Sequence, residues 1–388
     1  MRTVDALVIG AGPAGATAAL LLARGGLAVV LVEKSTFPRR KVCGEYISAT
    51  TWPVLEELGL RELESSGGCA IAAVGLFAGD HVERASMPLL DGYAGRAVRR
   101  EILDPALAAL AVREGALLLQ PATVLGYERK GERFDVHVRS PDRDETLAAR
   151  MVVAAHGSWE RAPADTEAPR SREPSDLLGF KAHFEGTALE PGLMPLVLFP
   201  GGYGGMVHVD STTASFSCCI RRDVLRRIRA EQRDLSAGDA VIAHVMASCR
   251  GVREALAGAS RSSPWLSAGP IRPGIRPLHR DGVFFVGNAA GEAHPLVAEG
   301  ISMAIQSSRL LALHLLAASP AKAGHTYPRA WRENFAARLH ASSAFATLLV
   351  SPVVRRAGIR LLASMPGALT LGARWSGKAR ALRPGAAS

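Results

Sequence analysis

At 388 residues, with 48% hydrophobic and 21% charged side chains, the chain has a globular composition and enough length for two cores. Its 46 Lys and Arg against 36 Asp and Glu give a net charge of +10. The excess sits in local runs such as "DVLRRIRAEQR" and the stretch after Pro352, with no zinc-finger or basic-zipper pattern, which argues against a nucleic-acid partner.

"VDALVIGAGPAGATAALLLARGGLAVVLVEK" reads as strand, glycine turn, helix and strand: Val4–Ile9 is an apolar run of buried parallel-strand type, Ala14–Arg24 is rich in helix formers and stops at Gly25 and Gly26, and Leu27–Val32 is the second strand. No charged leader and apolar core precede it, so no secretory signal is expected. "TWPVLEELGLREL" and "ILDPALAALAVREGA" predict amphipathic helices, and "LLLQPATVLGYERK" a strand. "RFDVHVRS" and "ARMVVAAHG" predict paired strands. "GFKAHFEG", "LMPLVLFPGGYGGMVHVD" and "TASFSCCIRRD" alternate and end in turns like antiparallel strands. "DGVFFVGNAAGEAHPLVAEGISMAIQSSRLLALHLLAA" returns to strand, turn and long helix, and from Tyr327 the chain reads as helical, divided by Pro352 and Pro366.

The expected organisation is α/β. A Rossmann-type domain comprises residues 1–75, 95–170 and 270–325, an inserted antiparallel substrate domain comprises 76–94 and 171–269, and a helical segment runs from 326 to 388. Five cysteines, Cys43, Cys69, Cys218, Cys219 and Cys249, are an odd number without C-x-x-C spacing. That pattern argues against a disulfide framework or a zinc site and suits a reducing cytoplasm. No run of about 18 apolar residues predicts a membrane span.

Gly10, Gly12 and Gly15 form G-x-G-x-x-G between the first strand and helix, and Glu33 ends the next strand. Gly10 permits the tight turn, Gly12 lets backbone N–H groups approach a pyrophosphate, and Gly15 lets helix and strand pack closely. The helix N-terminus at Pro13 and Ala14 turns its unpaired N–H groups toward the phosphates. A carboxylate at Glu33 accepts from both ribose hydroxyls and repels a 2′-phosphate, which favours FAD or NAD over NADP; Lys34 follows it.

Three further stretches resemble the FAD-dependent family that groups p-hydroxybenzoate hydroxylase-like monooxygenases, flavin halogenases and geranylgeranyl reductases. "RREILDPALAALAVREGA" is similar to the family's R-x-x-F/L-D helix and implies that Arg100 reaches the cofactor. "VVAAHGSWE", with Gly157, stands where the family has its second fingerprint. "FFVGNAAGEAHPLVAEGISMAIQSS" resembles the segment that holds ribitol and the pyrimidine end of the flavin, implying roles for Asn288, Ala289, Pro295, Gly300 and Ile301. The chain departs from the family at Asn288 and His156, both commonly Asp, and at Ala298, usually Gly. The resemblance implies a Rossmann-type (glutathione reductase-like) FAD domain, FAD as cofactor and NADH or NADPH as electron donor.

"KVCGEYIS" then reads as a loop between the adenosine half of the site and the flavin ring, with Arg40, Lys41 and Gly44 near the cofactor and Cys43 on the catalytic face. Glu45 has no partner visible in the sequence. Tyr46, Phe199 and His208 are substrate-pocket candidates, against ordinary packing. Tyr203 is a catalytic candidate, as is His294, placed to act as acid or base on a phenol or to orient its loop. Halogenation is disfavoured: residues 192–204 contain no tryptophan and Lys181 stands alone. Two reactions remain. The favoured one is hydroxylation of an aromatic, polyketide or lipid-phenol substrate in secondary metabolism; the alternative is reduction of isoprenoid double bonds. A non-catalytic lipid-binding escort is the third reading. Arg355, Arg356, Arg360, Arg374, Lys378 and Arg380, set among apolar residues, suggest peripheral membrane contact.

Overall fold

The computed structural model describes residues 2–158, 171–350 and 367–374. Its first unit follows the sequence pattern: β1 (Arg2–Ile9), α1 (Pro13–Arg24) and β2 (Val29–Val32). Pro13 opens α1 where its missing N–H costs nothing. Leu20 and Leu22 on α1 are fully buried, each contributing about 1.5–3 kcal/mol of apolar burial. The next elements are β3 (Ala73–Ala78), β4 (His81–Ser86), α2 (Arg100–Arg113), β5 (Leu117–Leu119), β6 (Thr123–Lys130), β7 (Arg133–Arg139) and β8 (Asp144–Ala154). β9 (Leu177–Glu185), β10 (Leu193–Phe199), β11 (Gly202–His208), β12 (Thr213–Arg221) and β13 (Leu266–Ile271) follow. β14 (Val283–Phe285), α3 (Gly300–Ala317), α4 (Pro320–Val350) and α5 (Gly367–Ala373) lie C-terminal to these.

The parallel core of the first sheet has the order β14-β8-β1-β2-β5, and the β6–β7 hairpin joins it by antiparallel pairing of β7 with β8. α1 packs against α2 and α3. In the second sheet β13 pairs with β9, and the order continues β9-β12-β11-β10-β3-β4. Its pairings are antiparallel except β10 with β3, which run parallel from Leu193 beside Ala73 to Leu198 beside Ala78. The mixed α/β fold therefore agrees with the expectation, with one parallel pair inside the antiparallel sheet.

Local boundaries differ where turn residues override apolar periodicity. The helix predicted over "TWPVLEELGLREL" stops at Leu58, because Gly59 adopts φ +96, and a separate turn covers Leu63–Ser66. "LLLQPATVLGYERK" is two strands, β5 and β6, separated around Pro121. α4 begins before Tyr327 and carries Pro328 inside it. Among the described residues no helix is long and apolar enough to cross a membrane. Of the C-terminal basic residues only Arg374 falls within the described residues; it is exposed.

Candidate active site

A cavity of about 810 Å³ runs between the first sheet's glycine turn, the face of the second sheet and the N-terminus of α3. One end is set by Glu33, whose carboxylate accepts from the Ala11 and Ser35 backbone N–H groups, both at 2.9 Å. Those bonds fix the side chain at the end of β2, and the carboxylate retains acceptor capacity for a ribose hydroxyl.

Next along the cavity come the glycines. Gly10 holds φ +97, and a Cβ there would lie 2.8 Å from the Ala155 carbonyl oxygen. Gly15 does not line the cavity; a Cβ on it would lie 1.7 Å from the Gly10 carbonyl oxygen, so it serves the helix–turn contact. A Cβ on Gly12 would meet nothing closer than the Arg100 and Arg39 guanidinium nitrogens, at 3.5 and 3.8 Å. Arg100 is held by Asp104 through bonds of 2.7 and 2.8 Å. Arg39 touches Glu33 at 3.2 Å and Asp104 at 3.5 Å, while its buried Nε and Nη1 have no hydrogen-bond partner among the described residues. A helix N-terminus without a side chain, two guanidinium groups and unsatisfied buried donors together fit the pyrophosphate of a dinucleotide.

Arg39 is the arginine that sequence reasoning missed. Arg40, the expected one, points away: it is part-exposed, pairs with Glu101 at 2.9 Å and does not line the cavity. Lys34, Lys41, Cys43, Gly44 and Tyr46 all border the cavity, as do Pro13, Ala14 and Gly157.

At the opposite end α3 begins at Gly300, so Gly300 and Ile301 present the positive end of an 18-residue helix to the cavity. Ala298, standing where a glycine is usual, holds φ +53, a conformation that costs an L residue about 1–2 kcal/mol. Asn288 borders the cavity and donates to Ser158 at 2.9 Å and Glu292 at 3.2 Å; Glu292 also meets Arg276 at 3.0 Å. Burial raises the Glu292 carboxyl above its usual range despite that arginine. Glu292 thus supplies, one turn later, a carboxylate beside Asn288. Ala289 is buried in the first core, off the cavity wall.

The part of the cavity against the second sheet is largely aliphatic, with Met194, Leu196, Val207, Ile271, Leu296 and Leu369 on its wall. Its polar exceptions cluster near Pro295. The His294 ring lies 5.0 Å from the Tyr203 ring; its Nδ1 is buried and has no hydrogen-bond partner among the described residues. Burial pulls the His294 imidazole down to about 4, so it is neutral at pH 7. Burial first, then the neighbouring Cys219 thiol, pushes the Tyr203 hydroxyl well up, so it keeps its proton.

Two pocket candidates lie elsewhere. Phe199 is fully buried in the second sheet's other core, its ring 6.0 Å from His244. His208 is buried, with Nε2 on the Leu189 carbonyl at 2.9 Å, and does not line the cavity. Both sit on the strand face opposite Tyr203, a consequence of the two-residue period. Lys181 is also off the cavity wall. Among the described residues no group of His, Cys, Asp or Glu is arranged to hold a metal ion, and the five cysteines form no disulfide.

The depressed His294 imidazole has a stability consequence. The unfolded chain takes up this proton near pH 6.5 and the folded chain only near 4, so the unfolded state binds more protons across that window. Stability should therefore fall as pH drops from 6.5 to 4, by on the order of 3 kcal/mol. Urea unfolding across this range should show a shallower pH slope for His294→Phe than for the native chain; an unchanged slope would contradict a buried neutral imidazole. Glu45, held down to about 2, acts mostly at lower pH: its contribution is present above 4.5 and lost as pH falls from there toward 2.

The family model described as "FAD binding domain" matches residues 3–334. The chain is 27% identical over 336 residues to Conditioned medium factor receptor 1 of Dictyostelium discoideum, covering 81% of this chain and 63% of that protein, less than two thirds of its length. It is 26% identical over 309 residues to the digeranylgeranylglycerophospholipid reductase of Methanocaldococcus jannaschii, covering 78% of this chain and 74% of that one. Among solved structures, the myxobacterial chondrochloren halogenase superposes with a TM-score of 0.75 at 23% identity, covering 86% of this chain and 80% of that one, a likeness of fold.

Proposed function

The chain belongs to the FAD binding domain family and is an FAD-dependent oxidoreductase, and from that premise we propose that it hydroxylates a phenol carrying an aliphatic chain, with NADH or NADPH as electron donor. The observation that carries this reading is His294: a neutral imidazole, 8% exposed, whose Nδ1 lacks a partner among the described residues, standing beside Tyr203 in a cleft that Met194, Leu196, Val207, Ile271, Leu296 and Leu369 also line. A buried polar group without a partner costs about 1–3 kcal/mol. A substrate hydroxyl would remove that cost, whereas a hydrocarbon would not.

When bound, FAD supplies the electron transfer and the activation of oxygen. Gly10, Gly12, Arg39, Arg100 and Glu33 are the residues that would hold its adenosine and pyrophosphate, with Asn288, Glu292 and Gly300 toward the flavin. His294 accepts or donates one hydrogen bond at the phenolic hydroxyl, and its low basicity makes it an orienting group rather than a resting base. Tyr203 packs against the imidazole and fixes its plane. Cys43 borders the same cavity as a wall residue of the cofactor loop. The aliphatic side chains exclude water and take the tail. Each methylene that fits should contribute about 0.8 kcal/mol, about fourfold in KM.

The test is NAD(P)H oxidation by the yellow protein against a series of alkylphenols. Stimulation that strengthens about fourfold per methylene until the cleft is full supports the reading, and stimulation independent of chain length argues against it. Reduction of isoprenoid double bonds is the second reading, favoured by the aliphatic wall and by the likeness to the archaeal digeranylgeranylglycerophospholipid reductase. A lipid-like substrate also suits action in the cytoplasm at a membrane surface, for which the exposed Leu371 and Arg374 on and beside α5 speak. The remaining basic positions, Arg355, Arg356, Arg360, Lys378 and Arg380, lie outside the described residues.

A further inference from the structure

Behind the Cys43–Gly44 turn lies a buried charge cluster that neither cofactor binding nor the aliphatic cleft uses. Glu45 is 1% exposed and holds φ +60, a conformation that persists only where the surroundings impose it. One carboxylate oxygen meets Lys181 Nζ at 2.5 Å and the Arg100 backbone N–H at 3.2 Å; the other meets His183 Nε2 at 2.8 Å. Lys181 and His183 are two residues apart on β9 and so share one face of the second sheet. Lys181 is 2% exposed, and beyond the ion pair its Nζ has no hydrogen-bond partner among the described residues. Glu45 and Gly44 border the cavity, whereas Lys181 and His183 stand one layer behind. The pair therefore joins the cofactor loop to the substrate sheet in a place where water does not screen charge.

We propose that Lys181 and Glu45 are a balanced ion pair that sets the electrostatic potential of the cofactor cavity beside Gly44, making Lys181 a positioning residue for the redox reaction. This rests on the FAD reading. Reduction adds electron density to the cofactor, so an uncompensated cation nearby favours the reduced form and an uncompensated anion disfavours it. Glu45→Gln leaves Lys181 unbalanced and should raise the reduction potential. Lys181→Met removes the lysine charge opposite Glu45, leaving His183 and the Arg100 N–H as its partners, and should lower it. The double variant, with both charges gone, should return toward the native value. A merely structural pair predicts the same sign for both single variants, since each would loosen the same loop.

The experiment is potentiometric titration of the FAD-loaded full chain and its variants, with retained FAD measured by visible absorbance. Opposite shifts of the two single variants, with the double between them, are expected. Lys181→Arg keeps the charge and should stay near the native potential, which provides a readout if the methionine variant fails to fold. Shifts of the same sign, no shift at all, or an arginine variant displaced from the native potential would overturn the proposal while leaving FAD binding intact. A native chain that retains no FAD would overturn the FAD reading itself and this proposal with it.

Discussion

Gly12→Val is expected to give a folded protein that no longer retains FAD. A Cβ at this position meets no atom closer than 3.5 Å, and the backbone there is extended, with φ −72 and ψ −177, which a β-branched residue adopts without strain. The added methyl groups instead fill the space bounded by the α1 N-terminus, Arg39 and Arg100. Loss of close backbone approach to a pyrophosphate should cost affinity about 100-fold or more, equivalent to about 2.8 kcal/mol. Fluorescence titration with FAD, alongside thermal unfolding without FAD, checks both halves. Gly15→Val makes the contrasting case: its Cβ collides with backbone, so it should lower the stability of the apoprotein as well. Equal FAD affinity of Gly12→Val and the native chain would remove the dinucleotide reading of this turn.

His294→Phe is expected to retain FAD, to bind the aliphatic tail, and to lose turnover by about 100-fold or more, within the range that positioned acid–base and hydrogen-bonding groups supply. Phenylalanine preserves the packing on Tyr203 and removes the Nδ1 that has no partner among the described residues. His294→Gln keeps a donor and an acceptor and should recover part of the loss. If the imidazole only shapes its loop, the glutamine variant will be no better than the phenylalanine one. The effect should appear in kcat with a smaller change in KM, because most binding free energy comes from the tail.

The parts of this site that were legible in the sequence are those carried by contiguous chain. The strand, glycine turn, helix and terminal Glu33 lie within 33 residues, and each has a local physical requirement that names its residue type. The turn from Pro295 to Ile301 was legible through the resemblance of its contiguous stretch to the family's flavin segment, and it does border the cavity. What failed was phase and pairing. Whether Arg39 or Arg40 reaches the turn depends on loop geometry that composition does not encode. Phe199 and His208 lie on the wrong face because a one-residue change of strand register exchanges the two faces of a sheet; Tyr203, on the cavity, pairs across with Leu198 rather than Phe199 and is five positions before His208 on its own strand. Glu45 and His183 are 138 positions apart, and only the folded placement of the cofactor loop against β9 joins them. A lone lysine in an apolar strand was the available signal, since a buried lysine needs a carboxylate partner.

Oxygen transfer to a phenolic head is what we propose for this cleft, with its glycine turn, helix N-terminus, aliphatic wall and the neutral imidazole of His294. The direct measurement is to incubate the FAD-loaded protein with NAD(P)H and a long-chain alkylphenol under isotopically heavy dioxygen and weigh the product. Hydroxylation predicts a product that has gained one heavy oxygen atom. A product bearing no heavy oxygen, formed together with saturation of a prenyl lipid offered in the same mixture, would contradict it.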